Sequence, residues 1–221
     1  MTKPIKPIFL TYSNGVFRFY EYCFQEPENY NSLVLVKQKN YTLERESISL
    51  YEIVDIFNQA QSQKEPDGIP FPQANNFGRV VNICELLDVN GELSREEIAY
   101  KYDFDVRQTN YYTDACRYLG LVEKRRDSIE GIKYYLTDKG RRIINLNIKN
   151  RNLAFVKCLL EKRAFKEVFR LYLRNMQIPM QLEIVEVMKE SKLYNINSED
   201  TFRRRASTIL GWIRWVLCLT E

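Results

Sequence analysis

The run from Phe104 to Leu136, FDVRQTNYYTDACRYLGLVEKRRDSIEGIKYYL, constrains the fold more than any other part of the chain. Asp105 stands where a helix can open, because a carboxylate accepts from the free N–H groups of a first turn. Gln108, three residues on, is the reciprocal half of a capping box. Thr109, Tyr112, Cys116 and Leu119 then recur at steps of three and four, the spacing of one buried helical face. Gly120 ends the helix, since the left-handed backbone that closes it suits glycine and is resisted by other residues. Val122 to Arg125 and Ile132 to Leu136 read as two strands. Between them Arg125-Arg126-Asp127 lead into a turn relieved by Gly131.

Helix, strand, basic loop, strand is the core order of a winged helix-turn-helix. On the outward face of the helix stand Arg107, Asn110 and Tyr111, with Asp114 and Arg117 further along. Arginine can pair with guanine, asparagine with adenine, and tyrosine with phosphate. Their place in the first two turns suits a recognition helix, whose N-terminal end enters the major groove. Lys124, Arg125, Arg126 and Lys133 make the following loop and its approaches cationic, as contact with a flanking phosphate backbone requires. A winged helix also serves as a protein-docking module, and fold alone does not decide between the two.

The elements before this run complete such a domain. Phe77, Val80, Val81, Cys84 and Leu87 trace one helical face, and Asn90-Gly91 turns the chain. Ser94 and Glu97 form a capping box, with Leu93 stapled onto Ile98, and open a short helix through Tyr102. A further helix begins at Thr137-Asp138 and runs through Leu146, so the winged-helix domain covers residues 76–147.

Upstream, a β-hairpin is expected from an apolar run ending at Tyr12, the turn pair Asn14-Gly15, and the aromatic stretch from Val16 to Phe24. Leu33 to Val36 is a third strand, followed by Lys37 and Lys39. Ser49 and Glu52 cap a helix from about Leu50 to Ser62 that buries Ile53, Val54, Phe57 and Ala60. Pro66-Asp67-Gly68, Pro70 and Pro72 mark a linker at 66–75. Residues 1–65 are therefore expected to form a small β-rich domain.

Downstream, residues 148–221 read as a second, helix-rich, winged-helix-like domain. Pro179 interrupts it, and Ser198 caps a last helix from Glu199 to about Leu217 with Phe202, Ala206, Ile209, Leu210, Ile213 and Val216 as its buried stripe. Arg203, Arg204, Arg205, Thr208 and Arg214 lie around the rest of that helix. Three arginines in its opening turns run against the helix dipole, which Glu199 and Asp200 offset, and both an anionic partner and a plain solvated surface fit them. This third of the chain holds fourteen basic against eight acidic side chains, whereas 76–147 holds twelve of each.

Histidine is absent, which removes Ser-His and Cys-His nucleophilic catalysis. Five widely spaced cysteines, without a CxxC pair, read as buried thiols rather than disulfides or a zinc site. No stretch reaches the ~20 apolar residues of a membrane span. A cytoplasmic protein is expected.

At RQTNYY, YLGLVE and YYLTDKGR the chain resembles many prokaryotic winged helices. With the C-terminal RRRASTILGWIRWV it resembles the tandem winged-helix modules of type II restriction enzymes and related defence proteins, over residues 76–221. The resemblance implies sequence-specific recognition of double-stranded DNA by Arg107, Gln108, Asn110 and Tyr111 in the first module and Arg203, Arg204, Arg205 and Thr208 in the second. It also implies a second copy of the chain, or a nuclease or methyltransferase subunit, as protein partner. The expected fold class is mostly α with small β (α+β): a tandem winged helix-turn-helix preceded by a small β-rich domain. No catalytic residue and no cofactor are expected. The alternative of a compact nuclease would require Mg²⁺ on carboxylates of the first third, where Glu21, Glu26, Glu44 and Asp55 stand near Lys37 and Lys39 without the acidic-x-Lys spacing. The other alternative is a docking adaptor using Phe17, Phe19, Tyr20 and Tyr22.

Overall fold

A computed structural model describes residues 8–13, 16–24, 33–42, 47–66, 68–102, 105–128 and 131–220. The chain divides into two units, Met1–Glu46 and Ser47–Glu221. The first contains an antiparallel sheet of β1 (Ile8–Ser13), β2 (Val16–Phe24) and β3 (Leu33–Thr42), in that order. β3 runs well past the expected Val36. Glu21 stands opposite Lys37 in the β2–β3 register, with a bulge between Glu21 and Tyr22. The expected Asn14-Gly15 turn, and Glu26 and Glu44, lie outside the described residues.

The second unit begins earlier than expected. Ser49 and Glu52 form the anticipated capping box at the head of α1 (Leu50–Gln59), and this helix packs on α6 (Ile148–Leu160) within the second unit. The stretch expected as a linker is likewise built into the core. Phe71 and Ala74 are almost fully buried. The Phe71 ring stacks on Phe165 at 5.5 Å between centroids. Just before it, the Tyr118 hydroxyl donates to Glu65 Oε2 at 2.6 Å, burial pushes the Glu65 carboxyl pKa up, and the Lys162 ammonium sits 5.0 Å over the Tyr118 ring. Prolines stop this segment from forming a helix, but they do not keep it off the core.

α2 (Phe77–Asn90) is the hub. It contacts α4 (Val106–Tyr118), α5 (Asp138–Ile144), β6 (Gly131–Leu136) and α9 (Glu199–Cys218). Phe77 meets Phe155 of α6 at 5.9 Å and Trp212 of α9 at 5.0 Å, both edge-on. Residues 76–147 and 148–221 thus share one apolar core rather than having one each, because α2 alone cannot bury its face. α7 (Arg163–Asn175) and α8 (Gln181–Glu190) pack on each other and on α9.

The organising stretch forms as its local chemistry dictates. The Asp105 carboxylate accepts from the Arg107 N–H at 2.6 Å. Thr109, Tyr112, Cys116 and Leu119 are all buried, and Gly120 adopts φ +71°. Gly140, at the head of α5, allows a close approach, since a Cβ there would lie 2.1 Å from the Leu121 carbonyl oxygen. β5 (Val122–Asp127) pairs with β6, and the two-residue β4 (Leu93–Ser94) adds a third antiparallel strand, giving the order β4-β6-β5.

The capping box at α3 (Arg95–Tyr102) also reaches this sheet. Ser94 Oγ accepts from the Glu97 N–H at 3.1 Å, and Glu97 Oε2 accepts from the Ser94 N–H at 2.6 Å. The same carboxylate holds the Lys133 ammonium of β6 at 2.9 Å. First the lysine and then the Ser94 N–H pull the Glu97 pKa down to about 2. A depressed carboxyl pKa stabilises the fold above the ordinary value of 4.5, and that contribution is lost as the pH falls from there toward 2. An NMR titration of the side-chain carboxyl carbon should put the Glu97 midpoint near 2, and Lys133→Met should move it upward. An unchanged midpoint in that variant would remove the lysine from the account.

Candidate nucleic-acid interface

Asp105 and the apolar face beneath fix how α4 presents its outer residues. Arg107 and Gln108 are exposed, and Asn110 and Tyr111 are half-exposed, so none of the four is packed away. Arg107 Nε donates to the Tyr111 hydroxyl at 2.8 Å, with the guanidinium 5.7 Å from the centre of that ring. The contact holds a long side chain in one arrangement and so lowers the entropy lost on meeting a ligand. Gln108 does not return to Asp105 as the capping-box reading expected. Its Oε1 accepts from Arg79 Nη1 of α2 at 3.1 Å, and Arg79 lies over the Tyr112 ring at 5.6 Å. Competition from a guanidinium, a charged donor, accounts for the difference.

Two shallow grooves of about 570 and 590 Å³ run along α9 beside the segment from Gln73 to Arg79, and Tyr112 is the α4 residue that lines the second. Gln181, Arg203 and Arg204 line the first, while Arg79, Tyr112, Arg214 and Trp215 line the second. Both are bordered by Asn75 and Ser207, so they form one continuous furrow. Among the described residues, no aspartate or glutamate lines either part. Arg203, Arg204 and Arg214 are all exposed. Arg203 has Glu199 no nearer than 3.8 Å, and Arg204 reaches only the Thr201 hydroxyl, at 3.4 Å. Arg214 has no ion-pair partner among the described residues. Arg204 and Arg214 therefore put positive charge without an ion-pair partner among the described residues along the furrow, and Arg203 adds a charge paired only at 3.8 Å with Glu199.

Two residues expected on this surface turn away from it: Thr208 lies in the core and Arg205 is half-buried against the 71–75 segment. Thr208 is fully buried, and its hydroxyl accepts from the Ala74 N–H at 3.1 Å. Arg205 turns inward. Its guanidinium donates to the Phe71 carbonyl, its Nε is buried without a partner, and burial lowers its pKa. Trp212 Nε1 donates to the Ala74 carbonyl at 2.6 Å, and Gly211 lets the backbone at Asn75 come close. The segment at 71–75 thus covers the flank of α9 that bears Thr208 and Arg205, leaving Arg203, Arg204, Ser207 and Arg214 on the furrow.

The basic hairpin is also partly neutralised. Arg125 pairs with Glu92 at 2.6 Å and Lys133 with Glu97 at 2.9 Å, so both serve to anchor the sheet. Lys124 and Arg126 are exposed and have no ion-pair partner among the described residues. Among the other candidates, Asp55 is bonded to Gln59 of its own helix at 2.7 Å. Among the described residues, no three acidic or cysteine side chains are grouped as metal ligands. Cys84, Cys116 and Cys158 are buried free thiols, as expected, whereas Cys218 is exposed.

Asn75, Arg79, Gln181 and Ser207 went unnoticed as furrow residues in the sequence. Arg79 carries the faintest local signal, as a cation in the first turn of a helix whose next turns are apolar. The others have none, since only tertiary packing brings them beside Arg203 and Arg214.

The family model of a domain of unknown function, DUF7226, matches residues 79–221, which holds α2 through α9 and most of the furrow. A second domain of unknown function, DUF6997, matches residues 1–42. No curated protein and no solved structure matches the chain.

Proposed function

We propose that this chain, which belongs to the DUF7226 family, binds double-stranded DNA along the furrow between α9 and the 73–79 segment, with the outer face of α4 beside it. The carrying observation is the acid-free lining: three exposed arginines of α9 line a cleft whose other wall is the segment from Gln73 to Arg79, with Tyr112 of α4 at its edge. Such a lining attracts a polyanion and releases its condensed counterions on contact. In this reading α2, α3, α4 and the β5–β6 hairpin act as a winged helix. Arg107, Gln108, Asn110 and Tyr111 read base edges, and Lys124 and Arg126 meet the backbone beside them. Arg203, Arg204 and Arg214 hold phosphates along the same duplex. The likeness of residues 76–221 to restriction-system modules makes the DNA-recognition part of a restriction or defence system the biological setting we propose.

Fluorescence anisotropy on a labelled mixed-sequence duplex tests this. If Arg203, Arg204 and Arg214 each displace one counterion, the logarithm of the association constant should fall against that of salt with a slope of about −3. Further contacts from α4 and the hairpin would steepen it. Selection of bound duplexes from a random pool should then return a shared motif, which Arg107→Ala relaxes at one position. Absence of binding at low salt, or a flat salt dependence, would overturn the proposal.

A further inference from the structure

We infer that the α7–α8 connection, Met176 to Leu182, is an apolar wedge that enters a base step of the bound duplex and kinks it; this inference rests on the DNA-binding reading above. Four large apolar side chains stand in solvent within seven residues: Met176 is 60% exposed, Ile178 40%, Met180 71% and Leu182 64%. Within the second unit, no other described stretch of this length leaves so many uncovered.

The connection is held rather than loose. Met176 closes α7 in the left-handed region at φ 51°, with its N–H on the Tyr172 carbonyl at 2.7 Å. Pro179 is buried and pins the middle. The Met180 N–H donates to Glu183 Oε2 at 2.7 Å, so α8 starts at a defined point. Side chains exposed on a fixed backbone cannot readily collapse onto their own core, so less backbone freedom is lost when they insert.

Position selects the occupant. Gln181, between Met180 and Leu182, lines the arginine furrow with Arg203 and Arg204, and its amide donates to the Arg203 carbonyl at 3.1 Å. A polyanion seated on Arg203 and Arg204 therefore passes directly beside Met180 and Leu182. Methionine, leucine, isoleucine and proline are the side chains with which DNA-bending proteins part stacked bases, and phosphate-binding arginines beside them supply the attraction that offsets unstacking. A purely apolar partner would match Met180 and Leu182 but not the charge next to them.

The test uses the whole chain and a duplex labelled at both ends, with 2-aminopurine at a central TA step, the kind most easily unstacked. Binding should raise both end-to-end energy transfer and 2-aminopurine fluorescence, as a kink of about 20–90° requires. Met180→Ser with Leu182→Ser should keep the salt slope and lose both signals. Met180→Leu should restore them. If the duplex binds but neither signal changes, or the double serine variant bends it as the parent does, the wedge is wrong while the binding reading stands. A double variant that only converts a sedimenting dimer to a monomer assigns the surface to a second copy and also overturns the wedge. A chain that binds no duplex overturns both.

Discussion

Arg204→Glu combined with Arg214→Glu is expected to weaken duplex binding by a factor of about 10² to 10⁴. Each substitution removes a charge-assisted contact of about 1.5–3 kcal/mol and places a carboxylate against phosphate. Two such losses total about 3–6 kcal/mol, and each 1.4 kcal/mol is about tenfold. The salt slope should also become shallower by about two, one for each lost phosphate contact. Both side chains are exposed and carry no ion pair within the described residues, so the fold should tolerate the change. Arg170→Glu with Arg174→Glu is the matching control. It changes the net charge equally on an exposed part of α7 that lines neither groove. If both double variants lose affinity alike, the field of the whole chain is responsible and the furrow is not the site.

Gly211→Ala is expected to destabilise the second unit strongly for a single added methyl group. The new Cβ would lie 2.0 Å from the Asn75 carbonyl oxygen, a backbone atom that cannot swing aside. Either α9 or the 73–76 segment must move, and with it go the Ala74–Thr208 and Trp212–Ala74 hydrogen bonds. Overpacking costs about 1–3 kcal/mol, and each hydrogen bond adds about 1 kcal/mol. The total of roughly 3–5 kcal/mol should lower the melting temperature by about 6–20 °C for a unit of this size. Gly78→Ala is the contrast, because its Cβ meets only the Asn76 side chain at 3.2 Å and alanine favours the helix. Equal melting temperatures for the two variants would show that the close approach at Gly211 relaxes freely. The same displacement should reduce duplex affinity, since Asn75 and Ser207 join the two halves of the furrow.

Both expectations turn on the segment at 71–76, where sequence reading went furthest astray. Pro66, Pro70 and Pro72 signal a break in regular structure, and regular structure is indeed absent there. They carry no information about burial, and Phe71 and Ala74 lie in the core although the prolines around them mark a linker. Arg205 and Thr208 failed for the related reason. A polar side chain on a helix faces water by default, and only a backbone donor or acceptor brought from 134 residues away reverses that.

The local reading fared better at α4. Asp105, the three-and-four spacing of its apolar face and Gly120 set its ends and its buried side, leaving Arg107, Gln108, Asn110 and Tyr111 uncovered. Gln108 alone was misassigned, because its partner Arg79 comes from another helix.

By itself the sequence determined what depends on neighbours within a turn or two: the caps at Ser49, Ser94, Asp105 and Ser198, the stop of α4 at Gly120, and the pairing of β5 with β6. These follow from backbone groups that must be satisfied at once, by side chains three or four residues away. Tertiary structure alone decided that α1 belongs with the second unit, that two expected modules share one core, and which arginines of α9 line the furrow. Those outcomes depend on which apolar faces cover one another, and burial is a property of the whole packed unit that no local spacing encodes.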